Sequence, residues 1–140
     1  AWYSSLVGAK VVSAVAMSRA LDDLSPRFRP FADKFLAKLM EARIPVMIVT
    51  TSRTQAEQDE AVRRGVSWTF TGRHLTGDAI DVAPYAIYDL HGPDKAQWDE
   101  TDPIWQRIGE IGQACGLKWG VVKANGKRID LGHFELPHAA

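Results

Sequence analysis

Two short stretches of this sequence carry residue types that together can hold a metal ion and activate water. The first, within residues 72–81, contains His74 and Asp81. The second, near the C-terminus, begins with Asp130 and ends three residues later with His133. Two imidazoles and one carboxylate are typical of a catalytic zinc that keeps an open fourth position. Asp130 can serve as the base for a metal-bound water, so the pattern indicates a zinc hydrolase.

The pair formed by His74 and Asp81 is a weak signal by itself. Its spacing excludes the single helical turn of the H-E-x-x-H motif, which needs its histidines four residues apart. Residues 79–82 alternate between apolar and other side chains, which places Asp81 on the open face of a short strand. Glu135, on the same strand face as His133, is a rival to Asp130 as the base.

Length and composition limit the classes of protein to which this chain can belong. The 140 residues suit one domain with a sizeable core, so we expect a single domain over 1–140. Acidic and basic residues balance at 17 each, which disfavours nucleic acid as a partner. The only cysteine, Cys115, excludes an internal disulfide and a multi-cysteine metal site. The apolar run 6–17 is too short to span a bilayer, so we expect no stable membrane insertion and interpret residues 1–20 as a docking segment or a short helix.

Capping signals and hydrophobic periodicity predict three helices around a small sheet. The first helix is expected to start at Ser25-Pro26 with an apolar stripe, the second at the capping box of Thr54, and the third at Asp102-Pro103. The strands are predicted at 45–50 (buried), 79–82, 117–122 and 129–136, the last two joined by an Asn-Gly hairpin turn. Residues 84–101 form a long connection that can wall a substrate groove. The fold class is therefore α+β with a small antiparallel sheet.

Four motifs, in order along the chain, resemble those of the D-alanyl-D-alanine metallopeptidases. Residues 72–81 resemble the signature S-x-H-x-x-G-x-A-x-D, and Ser52-Arg53-Thr54 with Gln58 resembles Y-R-S-x-x-x-Q. Residues 117–120 resemble the G-W-G segment, and 130–135 resemble the D-x-x-H-F-E terminus. The matches span about residues 24–136, and the D-x-x-H ending is most similar to the L-alanyl-D-glutamate endopeptidases that bacteriophages use as endolysins.

The resemblance implies a hedgehog/DD-peptidase-like zinc peptidase fold and a role for each matching residue. His74, Asp81 and His133 would hold zinc, and Asp130 would be the general base. Arg53 would face the scissile carbonyl, while the motif positions of Gln58 and Trp119 suggest substrate binding. Departures from the pattern lie at Gly72 (usually serine), Ser52, Thr54 and Val121. None of them is a proposed ligand, so activity is still expected, and they bear on substrate detail.

The expected function is hydrolysis of the L-Ala–D-Glu bond in the stem peptide of peptidoglycan through a zinc-activated water. Two alternatives stay open: a D-Ala-D-Ala carboxypeptidase or dipeptidase, and a non-catalytic hedgehog-type zinc-binding module. The enzyme is expected to be phage-encoded, made in the host cytoplasm as a monomer, and to act on the cell wall in the periplasm.

Overall fold

The computed structural model describes residues 18–65, 73–85 and 96–137. Its helices are α1 (Arg29–Glu41), α2 (Gln55–Arg63), α3 (Arg73–Thr76) and α4 (Ile104–Ala114), preceded by a 3-10 turn at Leu21–Asp23. Its strands are β1 (Val46–Thr50), β2 (Ala79–Pro84), β3 (Lys118–Val122) and β4 (Arg128–Glu135). They form one antiparallel sheet in the order β1-β2-β4-β3. The predicted α+β class is confirmed, and within the described ranges the sequence prediction lacked the 3-10 turn and the short helix α3.

The core lies between the sheet and the two long helices, α1 and α4. The predicted stripe on α1 supplies Phe35 and Leu39, which are buried, whereas Phe31 is 39% exposed at the margin. The ring of Phe35 packs against that of Phe134 on β4 at a centroid distance of 4.5 Å. This contact fixes the central strands, β2 and β4, against α1, and those strands carry two of the proposed metal ligands.

The helix starts agree with the capping signals except in α1. The capping box of Thr54 and Glu57 is present, with both reciprocal hydrogen bonds formed. The carboxylate of Asp102 accepts a 2.9 Å hydrogen bond from the backbone N–H of Ile104. The predicted cap at Ser25 is present, since its hydroxyl accepts a 3.2 Å hydrogen bond from the N–H of Phe28 and its carbonyl a 2.9 Å bond from the N–H of Arg29. The regular helix nevertheless starts later than the predicted Pro26, because Pro30 has no N–H to donate to the Pro26 carbonyl. Regular helix begins at Arg29.

The strand at the edge of the sheet is less buried than its sequence indicates. The apolar run of β1 predicted a strand covered on both faces, yet four of its five residues are only half-buried. Among the strands in the described part of the chain, β1 pairs with β2 alone and so lies at the edge of the sheet. The prediction of a fully buried strand was therefore wrong, because an apolar run does not reveal the position of a strand within its sheet.

Several sequence predictions lie outside the described residues. They concern the docking segment before Ser18, the substitution at Gly72 and most of the connection within 84–101. Of that connection, Trp98 is described: it is 58% exposed and its ring stacks on Trp105 at 5.9 Å. Among the helices that are described, none combines the length and the apolar character needed to cross a bilayer.

A buried carboxylate, which the sequence did not single out, joins the start of α1 to the turn before β2. Asp78 is fully buried and accepts hydrogen bonds from Ser25 (2.5 Å), Thr76 (2.7 Å) and the guanidinium of Arg27 (3.0 Å through Nε). The bond from Arg27 is the main cause that holds the pKa of Asp78 well below its usual range. Asp78 is therefore an ionised hub that fixes the segment between His74 and Asp81.

Asp78→Ala is expected to lower the free energy of unfolding by about 2–4 kcal/mol at pH 7, because it removes the hydrogen bonds that Ser25, Thr76 and Arg27 donate to one buried, ionised carboxylate. A group whose folded-state pKa is lowered contributes stability above its unfolded pKa, about 4, and loses it as pH falls. The penalty should therefore be smaller at pH 3 than at pH 7 in urea titrations. Asp22→Ala is the matched control, since that carboxylate is 94% exposed and should cost little. Equal penalties for the two variants would contradict the hub role.

Candidate active site

Three side chains from distant parts of the chain converge at one end of the sheet. Asp81 on β2 lies opposite His133 on β4 in the strand register, and α3 places His74 beside them. The carboxylate oxygens of Asp81 lie 3.2 Å from Nε2 of His74 and 2.9 Å from Nδ1 of His133. One ligand atom from each residue falls within 4.8 Å of the other two, so the three could hold a metal ion.

The ring of His74 is oriented by a backbone group. Its Nδ1 lies 3.3 Å from the carbonyl oxygen of Thr51, which follows β1. Because a carbonyl can only accept, Nδ1 must carry the proton and Nε2 must present its lone pair. Nε2 is buried and, despite its proximity to Asp81, has no hydrogen-bond partner among the described residues. An unpartnered buried nitrogen facing a carboxylate is what a metal ligand requires.

The ring of His133 is oriented by a second carboxylate. Its Nε2 lies 2.7 Å from Oε1 of Glu135, which leaves Nδ1 facing Asp81. Burial disfavours a charged imidazole, but the hydrogen bonds to Asp81 and Glu135 outweigh it and raise the pKa of His133 to about 10. The same contact with His133 lowers the pKa of Glu135 against the effect of burial, so Glu135 is an ionised acceptor. Arg73 contributes to that lowering, with its Nε 3.7 Å from Glu135.

A large bulge in β4 brings Asp130 to the same place as His133. The register pairs Trp119 with Phe134 and Val121 with Ile129, so residues 130–133 stand opposite the single residue Gly120. In a regular strand, residues three apart point to opposite faces of the sheet. The bulge cancels that alternation. The charges of His133, Asp81 and His74 all act on the Asp130 carboxyl, as expected for groups that share one site.

The backbone of Asp130 adopts a conformation that most residues avoid. Its φ of 59° is in the left-handed region, which among the described non-glycine residues is shared only by Arg43. Aspartate tolerates this region better than most residues, but it still costs about 1–2 kcal/mol. Asp130 stays exposed to solvent. Desolvation by the surrounding protein is the main cause that raises its pKa; the Asp81 carboxylate raises it further, while His133 opposes the shift.

Trp119 and two glycines hold the bulge. The indole N–H of Trp119 donates a 2.8 Å hydrogen bond to the carbonyl of Leu131 inside the bulge. Gly120, with φ of 60°, lies so close to the bulge that a Cβ there would be 2.5 Å from the carbonyl oxygen of Ile129. At Gly132 a Cβ would collide with the carbonyl oxygen of Val82 on β2. These contacts exclude side chains at both glycines and tie the bulge to the two neighbouring strands.

Arg53 reaches the site from the loop between β1 and α2. Its backbone N–H donates a 3.2 Å hydrogen bond to the carbonyl of His74, and its guanidinium donates a 2.9 Å bond to Oε1 of Gln58. The positive charge of Arg53 lowers the pKa of Asp130, one of the influences that oppose desolvation there. The guanidinium therefore acts on the same small region as the three candidate ligands and Asp130.

The structure thus brings together the five residues predicted to act on zinc or the scissile bond. The two predicted substrate contacts, Gln58 and Trp119, are buried, with 2% and 4% exposure. Their substrate-binding role stays a prediction. Their contacts favour another role, in which Gln58 positions Arg53 and Trp119 positions the bulge. Sequence reasoning missed Thr51 and gave Glu135 only the role of a rival base. The only sequence signal for the contact between Glu135 and the His133 ring was their spacing of two residues, which places both on one face of a strand.

Gly120→Ala is expected to cost about 2 kcal/mol or more of unfolding free energy, because alanine is strained at this φ and meets the Ile129 carbonyl. Turnover should fall further than the folded fraction explains, since the displaced backbone carries Asp130. Gly65→Ala is the matched control: φ is 77° there and a Cβ would meet open space. It should lose only the conformational cost and keep full turnover. Unfolding curves and kinetics of both variants check this, and equal turnover in the two would contradict the bulge argument.

The chain is similar to a solved structure and matches the model of one protein family. The fold is similar to the crystal structure of the L-Ala D-Glu endopeptidase ChiX of Serratia marcescens, with a TM-score of 0.60 and 23% sequence identity over 90% of this chain and 93% of that one. No curated protein matches the chain significantly. The family model for the phage L-alanyl-D-glutamate peptidases matches residues 17–138. The chain belongs to that family, which confirms the resemblance found in its motifs.

Proposed function

We propose that this peptidase is a zinc-dependent endopeptidase that hydrolyses the L-Ala–D-Glu bond of peptidoglycan stem peptides. Membership of the phage peptidase family supports the substrate and an action on the cell wall. The observation that carries the metal dependence is the cluster of His74, Asp81 and His133, in which each imidazole already turns one nitrogen toward the Asp81 carboxylate.

The donor set fits zinc. Imidazole nitrogens and a carboxylate oxygen are standard zinc ligands, and three protein ligands are the number found in catalytic sites. His74 would bind through Nε2, which has no hydrogen-bond partner among the described residues, and His133 through Nδ1. When bound, zinc supplies the positive charge that makes a coordinated water more acidic and polarises the substrate carbonyl.

The residues around the cluster supply the proton transfer and the charge stabilisation. Asp130 would accept a proton from the attacking water and pass it to the leaving amine. Its exposure leaves it accessible to water and substrate, and its raised pKa makes the carboxylate a stronger base toward a proton of the water. Arg53, held by Gln58, would donate hydrogen bonds to the carbonyl oxygen as negative charge develops there.

Glu135 is better suited to orient His133 than to act as the base. Its carboxylate is already hydrogen-bonded to Nε2 of His133 and lies near Arg73. A carboxylate in this position fixes the tautomer and the direction of a histidine ligand. Asp130 has no such engagement with a ring nitrogen among the described contacts, which supports it over Glu135 as the base.

The proposal is tested by digesting purified peptidoglycan with the zinc-loaded protein and identifying the new chain ends by mass spectrometry. We expect a new C-terminal L-Ala and a new N-terminal D-Glu. Chelation should abolish cleavage, and added zinc should restore it. Release of terminal D-Ala would identify a carboxypeptidase or dipeptidase instead. Zinc binding without any cleavage would favour the non-catalytic module.

Glu135→Gln is expected to weaken zinc binding by about 10- to 100-fold, because glutamine holds the His133 ring without the carboxylate charge. Cleavage at limiting zinc should fall in parallel and recover when zinc is in excess. A competition titration with a chromophoric chelator measures the affinity. Glu110→Gln, on the exposed face of α4, is the control and should bind zinc like the parent. If excess zinc did not restore cleavage, Glu135 would have a role in the chemistry itself.

A further inference from the structure

The turn end of the hairpin formed by β3 and β4 carries positive charge without an acidic residue beside it in sequence, in a chain whose total charge is balanced. Residues 118–129 contain four basic side chains and no acidic one: Lys118, Lys123, Lys127 and Arg128. The acidic residues of β4, Asp130 and Glu135, belong to the candidate active site, and Glu135 pairs with Lys118 across the strands, so the excess positive charge lies at the turn end of the hairpin. Elsewhere six basic residues are paired with carboxylates within 4.0 Å, namely Arg27, Arg29, Lys38, Arg63, Arg64 and Arg73. Within the described part of the chain, none of the four hairpin cations has such a partner.

The hairpin projects its charge into solvent. Residues 121–127 are all exposed, including Val121 at 37% and Val122 at 54%. The turn is closed by backbone bonds of 2.8 Å from Lys123 N–H to the Lys127 carbonyl and from Gly126 N–H to the Lys123 carbonyl. The backbone that carries Lys123 and Lys127 is thus held by its own hydrogen bonds, so mainly side-chain freedom is lost when the two lysines bind a partner.

The base of the hairpin adjoins the candidate active site. The guanidinium of Arg128 stacks on the ring of Trp119 at 4.3 Å and donates a 3.2 Å hydrogen bond to the Trp119 carbonyl. Two residues further along β4 lies Asp130. A polymer held along the hairpin therefore passes next to the groups proposed to cut it.

We propose that this hairpin retains the enzyme on peptidoglycan by binding the carboxylates of stem peptides. This inference rests on the proposed function, which names peptidoglycan as the substrate. Glutamate has two carboxyl groups, and its peptide link to the next residue uses one, so a stem peptide that is not amidated keeps a free carboxylate at this residue. The carboxylates repeat along the polymer, and several weak lysine contacts with a repeating partner add up to a useful affinity.

The test is co-sedimentation with purified sacculi that carry no attached polymers, using an Asp130→Asn background so that the wall stays intact. Lys123→Gln/Lys127→Gln is expected to bind about five- to tenfold more weakly, as two exposed ion pairs would allow. The matched control is Lys34→Gln/Lys38→Gln, which removes the same charge from the exposed face of α1 and should bind like the background protein. Binding by the background protein should fall as salt is added, and should be lost on sacculi whose carboxylates are amidated.

If the two double lysine variants lost affinity for sacculi equally, the proposal would be overturned, because the net charge of the protein alone would then explain its retention. Unchanged binding to amidated sacculi, or tighter binding to phosphatidylglycerol vesicles than to sacculi, would overturn it as well. Sedimentation requires no bond to be cut. Failure of the proposed hydrolysis would therefore appear only in the digestion assay, and the two results can be told apart.

Discussion

Asp130→Asn is expected to slow cleavage of peptidoglycan by about 10²- to 10⁴-fold, the usual contribution of a general base. The amide cannot accept the proton from water, and it cannot return one to the leaving amine. Asparagine nevertheless keeps the shape of the side chain and tolerates the left-handed backbone that Asp130 adopts at φ of 59°. Initial rates of release of new amino groups from purified wall measure the effect.

Two further readouts separate a base from a structural residue. Zinc content should stay at about one ion per chain, because Asp130 is not a proposed ligand. Thermal stability should be unchanged or higher than in the parent. The protein raises the pKa of Asp130, which means that the folded state disfavours its charge, and the neutral amide removes that penalty. A stability loss that matches the activity loss would assign Asp130 to the scaffold of the bulge.

Local signals along the sequence predicted the elements that depend on neighbouring residues. The capping box at Thr54 and the hairpin turn at Asn125-Gly126 are decided within a few residues, and both are found in the structure. The alternation around Asp81 also placed its side chain on the correct face of β2, since Ile80 and Val82 are buried. The candidate ligands and the motifs that contain them were therefore identifiable before any tertiary contact was known.

The part of the site that escaped prediction depends on contacts between distant segments. If residues 129–136 formed a regular strand, Asp130 and His133 would point to opposite faces of the sheet. The bulge that brings them to the same place arises only when β4 pairs with both β2 and β3. Asp78 is another example, because its partner Arg27 is 51 residues away in sequence. The helix α3 spans four residues, too few to show a period.

Asp81→Ala should weaken zinc binding by about 10²- to 10³-fold, since one of four ligands accounts for about 3–4 kcal/mol of a total near 10–16 kcal/mol. Cleavage should fall to background. Unlike the loss in Glu135→Gln, this loss should not be restored by excess zinc, because the remaining site lacks a ligand as well as affinity. Zinc titrations and digestion assays on both variants give the comparison, and recovery of Asp81→Ala in excess zinc would show that Asp81 only orients the histidines.

The pH dependence of zinc binding follows from the same carboxylate. Asp81 and Glu135 raise the pKa of His133 to about 10 in the metal-free protein, so at neutral pH a metal must displace a proton from this ring. The parent should therefore bind zinc about tenfold more tightly for each unit of pH gained between pH 6 and 9, and should release about one proton per zinc. Removal of Asp81 takes away one of the two hydrogen bonds that hold that proton. When Asp81→Ala binds zinc near pH 8, it should therefore release fewer protons than the parent does. Calorimetry in buffers of different ionisation enthalpy can measure this difference. Undiminished release would place the displaced proton on a group other than His133.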